Sequence, residues 1–164
     1  MPRPLYIVCA TSGSLDQRTN ALSLFGLIET ITYHELKSPP DASPGTPLVA
    51  ATLSMLIAAA WLREEADAPE QRFEAELVCF LPGSDEPALV VPFDPFRFES
   101  PIHRLVVWEA TISPDLNMKP GLLRFVIRVR CAGESEWKWK QEYVIRVEED
   151  VKDAPKATPP APPA

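Results

Sequence analysis

Residues Leu122–Val147 alternate oily and polar side chains almost without interruption. A two-residue period of this kind requires extended strands with one buried side. Leu123, Phe125, Ile127, Val129 and Cys131 fall on one side, and Arg124, Arg128 and Arg130 on the other with Val126. After a short polar turn at Ala132–Glu136, the phase resumes. Trp137, Trp139, Tyr143, Ile145 and Val147 share a face with one polar member, Gln141, while Lys138, Lys140, Glu142 and Arg146 share the opposite face. The stretch therefore predicts a long antiparallel hairpin.

The rest of the chain agrees with an all-β reading. Nineteen prolines in 164 residues cut it into short extended pieces and disfavour long helices. Leu5–Ala10 reads as a first, central strand, and polar Thr11–Asn20 as a loop. Ala21–Tyr33 is a second apolar stretch, bent near Phe25-Gly26. Lys37–Pro47 is a Pro-rich loop. Ala51–Glu65 favours a helix on propensity. Its apolar residues run all round without a helical stripe, however, and it precedes the clear strand Arg72–Leu81, so we read it as a strand. Pro82–Pro101 admits short edge strands at Ala88–Val91 and Phe96–Glu99. Ile102–Ile112 is a long strand with Val106, Trp108, Ala110 and Ile112 on one face.

These elements predict a single antiparallel β-sandwich, immunoglobulin-like or C2-like, of seven to eight strands over residues 1–149. A domain of that size buries roughly 68–70% of its unfolded surface, enough without disulfide or metal. Residues 150–164, ending in Pro159-Pro160-Ala161-Pro162-Pro163, read as a disordered, extended tail.

The net charge of −7 and pI near 4.9 argue against nucleic acid or an anionic membrane as a partner. Six apolar residues at Leu5–Ala10 are too few for a signal-peptide core, and Leu53–Leu62 is too short to span a bilayer. Cys9, Cys79 and Cys131 sit inside strands without a CxxC or Cys/His pattern. Reduced core thiols and a cytoplasmic location are the expectation.

Catalytic signals are weak. His34 and His103 stand at element ends, neither near a Ser or Cys in a recognised nucleophile pattern, and no GxSxG elbow occurs. No phosphate-cradling glycine loop occurs. Asp16, Asp85, Glu86, Asp94 and Asp115 lie in loops without the clustering calcium needs. No cofactor or metal ligand set is implied.

The candidate site is the polar face of the last hairpin: Arg124, Arg128, Arg130, Lys138, Lys140 and Arg146. If Cys131 pairs with Trp137, then Arg130 opposes Lys138 and Arg128 opposes Lys140. Like charges so placed destabilise a strand pair. Either Glu74 and Glu76 on the Arg72–Leu81 strand offset them, or the face meets an anionic partner such as an acidic protein surface. The four tryptophans, Trp61, Trp108, Trp137 and Trp139, are expected in the core or at a subunit interface.

Asp16, Asn20 and the run Leu22, Ser23, Leu24, Phe25, Leu27, Ile28, Glu29 resemble a bacterial domain family of unassigned function, marked by an N-x-L-S-L-F-x-L-I-E-like stretch. The resemblance extends to Val147 and implies a β-sandwich without bringing an activity or site residues. The expected function is a non-catalytic protein-interaction module. The alternative is a structural subunit that forms homo-oligomers through a sheet edge or Trp-bearing face, and a loop-assembled enzyme site at His34 or His103 ranks below both.

Overall fold

The computed structural model describes residues 2–16, 18–19, 21–33, 53–64, 68, 70–112 and 119–149. Among them are nine strands and no helix: β1 (Arg3–Asp16), β2 (Ala21–Leu27), β3 (Thr30–Tyr33), β4 (Leu53–Leu62), β5 (Phe73–Phe80), β6 (Pro87–Pro92), β7 (Ile102–Ile112), β8 (Gly121–Cys131) and β9 (Trp139–Glu149). They form a four-stranded sheet in the order β2-β1-β4-β7 and a five-stranded sheet in the order β3-β9-β8-β5-β6. One apolar cluster joins the two, with Cys9, Ile57 and Trp61 from the first sheet against Leu77, Leu123 and Ile127 from the second.

The alternation of β8 translates directly into this packing. Leu123, Phe125, Ile127 and Val129 are buried, while Arg124, Val126, Arg128 and Arg130 lie half-buried on the outer side. Tyr143, Ile145 and Val147 continue the core across β9. Gln141 shares their register side, opposite Ile127, and its Oε1 is buried with no hydrogen-bond partner among the described residues.

β4 behaves differently. Every residue from Met55 to Trp61 is buried, which is why the segment shows no stripe. Met55, Ile57, Ala59 and Trp61 face the shared core. Leu56, Ala58 and Ala60 face the other way and are covered as well. Over Leu56 the cover is the far half of β1, at Gly13. β1 pairs with β4 only as far as Ala10, and from there to Asp16 it pairs with β2 alone. This two-stranded arm folds back over the first sheet. A Cβ on Gly13 would stand 2.9 Å from Leu56 Cδ1. Leu15 and Leu22, paired at the arm's tip, line a cleft with Arg104, Val106 and Trp108 of β7.

Five sequence expectations are revised, beginning with the strand count, which is nine among the described residues rather than seven to eight. The first strand runs to Asp16, because Thr11–Asp16 find ladder partners in β2 despite a loop-like composition. There the Asp16 carboxylate accepts the backbone N–H groups of Arg18 and Thr19 at 2.8 and 3.2 Å. Ala21–Tyr33 is two strands in different sheets. Gly26, at φ 63°, makes the bend, and Ile28 N–H donates to Cys9 O at 2.9 Å as the chain crosses. β3 then runs parallel to β9, so the pairing is not antiparallel throughout. Finally, β7 carries a bulge: Ile57 pairs with Val107 and Met55 with Ala110. The extra residue shifts the phase. Leu105, Val107 and Ala110 face the core, whereas Val106 and Trp108 face outward, with Trp108 47% exposed.

Lys37–Pro47, His34, Asp115 and the 150–164 tail lie outside the described residues. No helix among the described residues is long and apolar enough to cross a membrane.

Candidate functional site

The predicted register of the last hairpin holds from Gly121↔Val147 to Val129↔Trp139, and Arg128 stands opposite Lys140. The ladder then ends. Lys138 N–H donates to Val129 O at 3.2 Å, so the chain leaves the regular phase. Trp137 consequently does not share a face with Trp139. Trp139 packs edge-on against Phe73 in the core, at 6.0 Å between ring centroids. Trp137 lies on the outer face under two guanidiniums, with Arg128 at 4.9 Å and Arg130 at 4.3 Å from its ring centre.

Both arginines are fixed from β5 as well. Arg128 pairs with Glu76 through Nε and Nη2, and Arg130 Nε meets Glu74 Oε2 at 2.8 Å. The registers Glu76↔Arg128 and Glu74↔Arg130 place each carboxylate directly across the strand pair. The flanking carboxylates therefore offset the opposed cations of the hairpin, as the alternating Glu-Ala-Glu of β5 permits.

The other predicted residues take different positions. Arg124 reaches Asp85 at 3.0 Å and Glu142 at 3.7 Å, and lies over the Phe80 ring at 4.8 Å. Lys138 donates to Glu134 at 2.6 Å, and that hydrogen bond holds its ammonium above the ordinary lysine range. Arg146 sits at the far end of β9, near Glu148 at 3.6 Å and in open solvent. Lys140 makes no ion pair among the described residues. It borders a recess of about 360 Å³ that contains Val78, Phe80, Val126, Arg128 and Trp137. Val78 is fully buried there although it points away from the core.

A second concavity, of about 750 Å³, lies beside β7 between the tip of the β1–β2 arm and the 93–101 segment. His103 forms part of its wall, stacked on Phe96 at 4.0 Å with the rings 2° from parallel. Burial lowers the His103 pKa, against a smaller opposing effect of Glu99. Among the described residues no hydrogen bond links His103 to a carboxylate. Asp85 is occupied by Arg124 and Asp16 by its turn, and no group of three metal-ligating side chains occurs among the described residues.

None of the three cysteines forms a disulfide. Burial pushes the Cys9 thiol up to about 12 and the Cys79 thiol up to about 11.

Sequence reasoning found the basic residues and their offsetting glutamates. It placed Trp137 on the wrong side and did not see either concavity. The signal for Trp137 was the polar turn beside it, where a ladder readily ends early. Compared with known proteins, the chain matches no protein-family model, and no curated protein matches it significantly.

Proposed function

We propose that this chain is a non-catalytic protein-interaction module. Its two stacked sheets form a β-sandwich of the immunoglobulin-like or C2-like kind. Its contact surface is the outer face of β5, β8 and β9, and it works in a reducing, cytoplasmic setting. Membership of the bacterial family suggested by Asp16–Glu29 belongs to this proposal and adds no activity.

The observation that carries the reading is Trp137 held beneath Arg128 and Arg130, each locked from its other side by a glutamate. Tryptophan and arginine dominate the energetic centres of protein interfaces. Side chains ordered before binding lose less freedom on binding. Because the glutamates cancel most of the positive charge, a purely acidic partner gains little from the face as a whole. The recess supplies the discrimination: an apolar floor of Val78 and Val126, with Lys140 at its rim. The matching partner is a protein surface that offers an apolar anchor with a carboxylate beside it.

The test is affinity capture from the source cells with wild-type chain, Trp137→Ala, Lys140→Glu and Trp108→Ala. The reading expects the same partners to be lost with the first two variants and kept with the third. Partners retained by both Trp137→Ala and Lys140→Glu, or no partner at all, count against it.

A second reading, self-association, is favoured by β7. It is an eleven-residue edge strand without proline, and its outer edge pairs with no other strand among the described residues. A strict monomer by sedimentation at high concentration removes this reading.

A further inference from the structure

The chain is acidic overall, with a net charge of −7, yet the larger cleft inverts that sign. Arg72, Arg97 and Arg104 line it against one carboxylate, Glu99, which lies 3.9 Å from Arg97. Three distant segments deliver these guanidiniums: the approach to β5, the 93–101 segment and the outward side of β7. Arg104 is the informative one. It stands opposite Ala60 on the covered side of the first sheet, and its Nε is buried with no hydrogen-bond partner among the described residues. A buried donor without an acceptor is destabilising. The Nη groups of Arg104 also make no hydrogen bond or ion pair among the described residues, and they, rather than the enclosed Nε, are what a ligand oxygen in the cleft would meet.

The other side of the cleft is apolar. Leu15 and Leu22 come from the tip of the arm, and Val106 and Trp108 from β7. Trp108 continues the outward phase of Arg104 and Val106 to stand there, 47% exposed. The volume, about 750 Å³, is of the size that holds a small molecule. Guanidinium groups match the two oxygens of a carboxylate in a fork that an ammonium cannot reproduce.

We propose that this cleft binds a small organic carboxylate with an aromatic or alkyl body, its oxygens toward Arg104 and Arg97 and its body between Trp108 and the Leu15–Leu22 tip. The site is separate from the contact face on the second sheet and stands or falls independently of it. Long polyanions are disfavoured by the acidic surroundings.

Calorimetric titration of the full chain tests this with 2-naphthoate and its neutral analogue 2-naphthylmethanol as probes. Saturable binding of naphthoate, at least about tenfold tighter than the alcohol, is expected. Arg104→Gln and Arg97→Gln should each weaken naphthoate and leave the alcohol unchanged. Trp108→Leu should weaken both, and Arg146→Gln on the other sheet neither. Arg97 lies in an exposed segment, so its variant keeps the test valid if Arg104→Gln fails to fold. Equal affinity for acid and alcohol, no saturable binding of naphthoate in the millimolar range, or naphthoate affinity unchanged in Arg97→Gln overturns the proposal.

Discussion

β4 and β8 are both interior strands, one in each sheet, yet they solve different problems. β8 has a core side and a solvent side, and its sequence alternates. β4 has two interiors, one shared with the second sheet and one beneath the β1–β2 arm, and its sequence does not alternate. Ala58 and Ala60 are fully buried on that side, and Gly13 of the arm leaves room for Leu56. The contrast separates the roles of the two sheets. The first turns its outer side inward and leaves a cleft at the margin. The second presents its outer side, and the arginines, glutamates and Trp137 there form a surface rather than a covered layer.

Replacing Trp61 by Ala removes the largest fully buried side chain of β4 and should cost about 3–5 kcal/mol in a urea titration. Ile127→Ala on β8 should cost about 2–5 kcal/mol, since the shared core does not distinguish the sheets. The comparison sharpens at the arm. A Cβ on Gly13 meets Leu56 Cδ1 and Ser23 O, both at 2.9 Å, so Gly13→Ala should cost about 1–3 kcal/mol by overpacking. Gly133→Ala, in the β8–β9 turn at φ 85° with open space around it, should cost only about 1 kcal/mol of backbone strain. On the outer face, Glu76→Gln unpairs a half-buried Arg128 and should cost about 1 kcal/mol, while Glu148→Gln, beside exposed Arg146, should be close to neutral.

The smallest effect at neutral pH concerns the thiols. Folding raises Cys9 and Cys79 above the ordinary cysteine value, because burial penalises the thiolate. Their contribution to stability is complete below about pH 9 and is lost as pH rises toward about 12 for Cys9 and about 11 for Cys79. Urea midpoints should therefore fall through that alkaline window, and both thiols should resist iodoacetamide in the native state. Rapid native labelling of either contradicts the burial.

The sequence carried the strands wherever a side chain's surroundings are set by its immediate neighbours. Alternation marked the core side of β5, β8 and β9, and its absence marked β4. Glu74 and Glu76 were legible as counter-charges because cross-strand pairing is regular. What was hidden depends on single ladder events or on distant chain. One inserted residue in β7 puts Ala110 on the core side, away from the face of Val106 and Trp108, and a bulge of this kind has no compositional mark. One backbone hydrogen bond, from Lys138 to Val129, ends the last ladder early and turns Trp137 over. Thr11–Asp16 is polar because its strand is an arm with solvent beside it, and such a strand reads as a loop. The cleft joins Leu15, Arg72, Arg97 and Arg104, whose separations in sequence offer no pattern to find.

The most direct measurement of the two-interior arrangement compares Ala58→Glu in β4 with Val144→Glu in β9 by thermal unfolding. Ala58 is fully buried on the outer side of its sheet, and Val144 is 42% exposed on the outer side of the other. Ala58→Glu places an uncompensated charge on the buried outer side of β4 and should cost about 3–5 kcal/mol, lowering the midpoint by about 10 °C or preventing folding. Val144→Glu should stay within about 0.5 kcal/mol of wild type. Equal tolerance of the two substitutions, or greater damage from Val144→Glu, contradicts the account.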